Sequence, residues 1–201
     1  MTKDTHKDNL KSESERLVLL EELVKSDPTL NAILSRADQL NLPNWYLGAS
    51  CITQVVWNYI SGTKPSYESD YDLVYFDDKD LSKEAEEKVD QRSKALFNDL
   101  GVNIEVTNEA RVHLWYKEEF GKDISAYTST EEAIDSWPTT SNAIGVRYSP
   151  DGKFEVYAPY GTEDLFNLEL RPNKKMVTEE MFKRKVQKWT KFWPDLKVIA
   201  W

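Results

Sequence analysis

The chain holds a single cysteine, Cys51, among 201 residues. One thiol excludes an internal disulfide and gives no sign of an oxidising compartment. Long apolar runs are also missing. No stretch reaches the length needed to cross a bilayer, and the first residues, MTKDTHKDNLKSESER, lack the apolar centre of a signal peptide. These absences lead to the expectation of a cytoplasmic protein with no membrane partner. Basic residues are in deficit, with 26 Lys and Arg against 35 Asp and Glu and a formal net charge of −9. Duplex nucleic acid is held largely by Lys and Arg on phosphates, so this balance argues against such a partner. A small anionic substrate, held by local donors and a metal ion, stays open. Aromatic residues, by contrast, are plentiful: seven Trp, ten Tyr and seven Phe. The length suits one domain with a core of useful size.

Residues 1–12 are charged and poor in apolar side chains, which predicts a disordered tail before a single domain over 13–201. Leu17, Leu20, Leu23 and Val24 recur at helical spacing. Asp27 and Pro28 then read as the cap and first residue of a second helix, with Leu30, Ile33, Leu34, Ala37 and Leu40 on one stripe. "WYLG" predicts a short strand. A helix follows from Ser50 to about residue 59, with Ile52, Val55, Val56 and Tyr59 inward. "GTKPSYES" reads as a loop and "DYDLVYF" as a strand. A charged helix is predicted over 81–100, with Asp80 as its cap, and a strand at "VNIEVT". Asn108 caps a helix that Gly121 stops. Thr128 or Ser129 opens a short helix, "AIGVRYSPDGKFEVYAP" forms a hairpin, and "GTEDLFN" makes a helical turn. Thr178 caps a basic helix carrying Met181, Val186 and Trp189 towards Pro194. The pattern is α+β, close to α/β, with one mixed central sheet flanked by helices.

Asp70 and Asp72 carry the sharpest chemical signal. Residues i and i+2 of a strand share a face, so both carboxylates project together from the start of an apolar strand. Close like charges repel unless a cation sits between them. Hard oxygens at this spacing suit Mg²⁺, which takes carboxylates together with substrate phosphates. Two Asp in the solvated start of a strand is the plainer alternative. Glu105 stands in mid-strand between Ile104 and Val106, where charged residues are scarce. It adds a third acid if its strand neighbours the Asp strand; an exposed edge strand is the alternative. In "YLGASCITQVVWNYISG", Gly48 ends a strand and Ser50 begins a helix. A helix start has free N–H groups that suit phosphate, though an ordinary turn with a Ser cap has the same sequence.

In order, these elements are strand, G-x-S, helix, loop, strand with D-x-D, helix, and strand with Glu. That order resembles the DNA polymerase beta-like nucleotidyltransferase superfamily. Leu47, Gly48, Ala49 and Ser50 match its first motif, Asp70 to Leu73 its second, and Glu105 its third acid. The chain is more closely similar to a bacterial nucleotidyltransferase-like family of unknown function. "VWNYISG", "DYDLVYFD", "IEVTNEARVHLWY", "GVR", "APYGTEDLF" and "LRPN" carry that resemblance from about Trp45 to Trp201. Two features depart from the superfamily pattern. The interval from Ser50 to Asp70 is long, and Ala49 stands where many members have Gly.

The resemblance implies a nucleotidyltransferase fold, with an N-terminal helical pair and a C-terminal hairpin and helix. It implies transfer of a nucleoside monophosphate from a nucleoside triphosphate to a hydroxyl acceptor, small molecule or protein. Asp70, Asp72 and Glu105 would hold Mg²⁺ or Mn²⁺ and serve catalysis, while Gly48 and Ser50 would hold phosphates. Arg111 could reach a phosphate from the next helix, or form a helix ion pair. His113 could sit near the base, or be a core imidazole. Arg147 is a further candidate, and Arg171 reads as structural. The alternative function is a non-catalytic nucleotide-binding or interaction protein that keeps the fold. Other constellations fail. "GASCI" lacks the second Gly of a nucleophile elbow. Cys51 reads as a small buried thiol, and "DDKD" lacks the rest of a calcium loop.

Overall fold

The computed structural model describes residues 12–63 and 70–201. The expected tail over 1–12 falls almost wholly outside these residues, as does most of the "GTKPSYES" loop. The fold begins with two capped helices. Helix α1, Glu13–Ser26, opens on a capping box between Ser12 and Glu15. Asp27 ends α1 and accepts from Thr29 N and Leu30 N to start α2, Pro28–Arg36, as the Asp-Pro pair predicts.

Five strands form the central sheet: β1 Tyr46–Gly48, β2 Tyr71–Tyr75, β3 Ile104–Asn108, β4 Gly145–Tyr148 and β5 Phe154–Tyr157. Their order is β3-β2-β1-β4-β5. β2 and β3 run parallel and the other pairs antiparallel, so the sheet is mixed and the fold α+β. The parallel pair needs a crossover, which α4, Lys83–Leu96, provides. Helix α3, Ser50–Ser61, joins β1 to β2.

Alternation along the strands separates two faces. Leu47, Leu73 and Val146 point into a hydrophobic cluster that runs in sequence from Leu20 to Leu196. Trp57 is its anchor on α3, 1% exposed and edge-on to Trp189 and Trp193 at 5.7 and 5.3 Å. Such pairs add about 0.5–1.5 kcal/mol each beyond the area they bury. Tyr59, expected inward, is 44% exposed instead; Trp57, two residues earlier, takes the buried face.

Several boundaries differ from the predicted ones. Ser82, not Asp80, caps α4 by accepting from Ala85 N, while Asp80 accepts from Ser82 N one turn earlier. Leu81 therefore lies outside the helix and is 36% exposed. The helix expected from Glu109 begins as a 3₁₀ turn, Glu109–Arg111, before α5, Val112–Phe120. Asn108 caps that turn and Gly121, at φ 72°, stops α5 as expected. Helix α6, Thr130–Ile134, is capped by Ser129, and a helical turn α7 spans Glu163–Phe166. A two-residue parallel ladder, β6 Glu169–Leu170 with β7 Lys197–Val198, has no counterpart in the predicted elements. Between them α8, Glu179–Trp189, is capped by Thr178 but stops before Pro194. Among the described residues no helix is long and apolar enough to cross a membrane.

Candidate active site

The face opposite the main core carries the acids. Gly48 pairs with Asp72, and Asp72 pairs with Glu105, so the three stand in one row across β1, β2 and β3. Neighbouring strands lie about 4.8 Å apart, which sets the two carboxylates side by side. Asp70 lies just before β2, and its Oδ1 accepts from Asn103 Nδ2 at 2.9 Å. Both readings of Glu105 meet here: β3 is an edge strand and Glu105 is exposed on it, and its neighbour is the Asp strand.

The electrostatics show the crowding. Asp72 is pushed up to about 7, first by burial, then by Glu105 and Asp70, with Lys185 acting against them. Glu105 is raised by burial and by Asp70. Asp72 thus carries a charge that the protein does not fully compensate. Among the described residues, however, no three His, Cys, Asp or Glu side chains are drawn together tightly enough to hold a metal ion. The acids share a face without forming a closed ligand set.

The turn before α3 has a different logic from the expected one. A Cβ on Gly48 would lie 2.5 Å from the Ile144 carbonyl oxygen and 2.8 Å from the Trp137 ring. The glycine is needed because Trp137 and Ile144 press on the strand, and the space beside it belongs to them. Ala49 adopts φ 57°, ψ −131°, a left-handed region that disfavours a Cβ, and its N–H donates to Ile144 O at 3.1 Å. The N-cap of α3 is Ala49, whose methyl side chain makes no capping hydrogen bond. Cys51 is buried and its Sγ donates to Gly48 O at 3.0 Å, as befits a structural thiol.

A pocket of about 340 Å³ opens along this face from Ala49 and Asp72 past Val74 and Thr107. α5, the segment around Trp137, and Met181 and Lys185 of α8 wall it. α8 straddles the boundary, because its Trp189 is buried in the core cluster. Asn173 fixes the Trp137 segment, with Nδ2 donating to Asp135 O at 2.7 Å and Trp137 O at 2.8 Å. That gives "LRPN" a physical role. Its Arg171 pairs with Asp164 at 2.9 Å, the structural contact expected of it.

Arg111 is not brought to the acids. It is buried, its Nε donates to Leu81 O at 2.9 Å, and its Nη1 pairs with Glu86. The expectation of a phosphate contact therefore gives way to an ion pair that ties the 3₁₀ turn to α4. Arg147 lies over the Tyr46 ring at 4.5 Å and pairs with Glu155 at 2.7 Å. Nδ1 of His113 is buried and has no hydrogen-bond partner among the described residues. Sequence reasoning missed two pocket residues. Lys185 sits in a basic helix that reads as a solvated face, yet burial lowers its pKa while Asp72 opposes that. Glu109 was read as part of a helix start, yet it is 5% exposed and lines the pocket. Glu109 continues the 105, 107, 109 alternation of β3, and that period was the available signal.

A family model described as "Nucleotidyltransferase" matches residues 35–198. The chain belongs to the nucleotidyltransferases. The match takes in the whole row of acids, the G-x-S turn and the pocket walls. A solved NMR structure described as revealing a CCA-adding enzyme head domain is also similar. It has 26% sequence identity and a TM-score of 0.74, covering 97% of this chain and 100% of that one. This nucleotidyltransferase therefore shares its fold with that head domain. A comparison with curated proteins found no match.

Proposed function

We propose that the protein transfers a nucleoside monophosphate from a nucleoside triphosphate to a hydroxyl acceptor, with divalent metal held at Asp70, Asp72 and Glu105. The observation that carries this reading is the Asp72–Glu105 register pair: burial first, and then Glu105 and Asp70 beside it, push Asp72 up to about 7. The donor set fits a hard divalent cation. Mg²⁺ in phosphoryl-transfer sites is held by one or two carboxylates plus phosphates and water, and an open set of oxygen donors is of that kind. Bound there, Mg²⁺ or Mn²⁺ would neutralise charge at the attacking and leaving oxygens.

The chain's own residues do the positioning. The start of α3, with Ser50 at its first position, turns the positive end of the helix dipole to phosphate. Lys185 approaches from the opposite wall and gives the phosphates a cation beside Asp72. The acceptor hydroxyl oxygen bonds to the α-phosphorus as the bond from that phosphorus to the oxygen bridging the β-phosphate breaks. Pyrophosphate leaves, and the hydroxyl proton passes to Glu105 and then to solvent.

The test is pyrophosphate release from ATP, GTP, CTP or UTP with Mg²⁺ or Mn²⁺, over a mixture of metabolites and proteins. Release that disappears in Asp72→Asn supports transfer. Nucleotide binding without release in any mixture would mean a binding protein that keeps the fold.

A further inference from the structure

The pocket continues well beyond the row of acids, and the mechanism above leaves its inner part unused. Glu109 stands there, 5% exposed. Burial raises its carboxyl to about 8, with Asp72 adding to the effect, and no hydrogen bond or counter-ion lowers it. Lys185 lines the same pocket, but its electrostatic partner is Asp72 and not Glu109. Among the described residues, Glu109 is thus a buried acid facing a cavity with no partner of its own. Left without a partner, such a carboxyl keeps its proton near neutral pH, and a ligand that brings its own cation into the pocket would draw that proton off and complete the pair.

The walls say what kind of group. Trp115, Tyr116, Phe120, Tyr127 and Trp137 line the pocket with Glu109. Trp115, Tyr116 and Phe120 pack on one another, with Tyr116 and Phe120 at 4.6 Å. Tyr127 OH is engaged with Ser136 Oγ at 2.6 Å, which leaves its ring as the surface offered. Aromatic faces around a buried carboxylate suit an organic cation, which gains from the ring quadrupoles and from the charge.

We propose that this inner pocket is the acceptor subsite and that it takes a substrate bearing an ammonium group, with Glu109 as the residue that reads the charge. The inference rests on the transferase reading above, since it names the class of the hydroxyl acceptor as a cationic amino alcohol. The attacking hydroxyl would then lie towards Asp72 and Glu105 and the ammonium towards Glu109, as the course of the pocket along the sheet allows.

The experiment titrates wild type and Glu109→Gln with methylammonium, tetramethylammonium and choline, following the indole N–H signals of Trp115 and Trp137 by NMR. Choline is matched by its neutral carbon isostere, 3,3-dimethylbutan-1-ol. ATP, CTP and UTP with Mg²⁺ are titrated separately. The cations are expected to move both indole signals, with choline binding about tenfold tighter than the isostere and the margin lost in Glu109→Gln. The proposal is overturned if no cation moves these signals, if choline has no margin over its isostere, or if the margin survives in Glu109→Gln. It is also overturned if Glu109→Gln instead weakens ATP and CTP relative to UTP, because the pocket would then read the amino group of the base. Nucleotide binding without cation binding defeats this inference alone. Cation binding with no metal-dependent nucleotide binding defeats the transferase reading and leaves the cation pocket standing.

Discussion

Asp72 and Glu105 are register partners on adjacent parallel strands, with Gly48 completing the row on the other side of Asp72. A sheet that places two acids side by side, and a third just before the strand, stores repulsion where a cation can relieve it.

Gly48→Ala forces a methyl group against the Ile144 carbonyl and the Trp137 ring. Overpacking of this sort costs about 1–3 kcal/mol. Urea denaturation should show that loss. The carbonyl contact is backbone, so trimming Trp137 to Leu should restore only part of it.

Ala49→Gly should act in the opposite direction. Ala49 holds φ 57°, a conformation that glycine adopts without strain. Relief of strain outweighs the added freedom of the unfolded chain, for a net gain of about 1 kcal/mol. Thermal melts of the two proteins at one pH decide it.

Glu109→Gln should stabilise the unliganded protein at high pH. Burial pushes the native carboxyl up to about 8, from an ordinary value of 4.5. Below pH 4.5 both folded and unfolded chains carry the proton, and Gln and Glu behave alike. As pH rises from 4.5 to 8 the unfolded chain releases its proton while the folded chain keeps it, so wild-type stability falls across that window. At pH 9 the variant should melt several degrees above the wild type. Parallel curves for the two proteins from pH 4 to 9 would contradict the assignment of an unpaired acid.

Lys185→Met removes the cation that faces Asp72. It should weaken triphosphate binding about tenfold, the loss of one charge-assisted contact. Binding of a nucleoside without phosphates should stay unchanged. Calorimetry with both ligands separates a phosphate contact from a general loss of the pocket.

Much of this fold is written in local chemistry. Asp27-Pro28, Asn108, Gly121, Ser129 and Thr178 mark helix ends through their own side chains or backbone freedom, so they can be read one at a time. The period of two likewise sets Asp70 and Asp72 on one face, whereas Glu105 joins them only through the pairing of β3 with β2. What sequence cannot supply is the partner. Arg111 is committed to Glu86, which stands on a different element 25 residues away. Gly48 answers to Trp137 and Ile144, which reach it only through the folding of α6 and β4. Lys185 looks solvated until α8 is laid against β2. Glu109 hides because the 3₁₀ turn it begins reads as a helix start, which masks the strand alternation that turns it into the pocket.

The most direct measurement is calorimetric titration of ATP, GTP, CTP and UTP into the protein with Mg²⁺ and with EDTA, repeated on Asp72→Asn and Glu105→Gln. At least one nucleotide should bind the wild type only with Mg²⁺, and that binding should be lost in both folded variants. Binding that is indifferent to Mg²⁺ and to both substitutions, or no binding of any nucleotide, would contradict the proposed function.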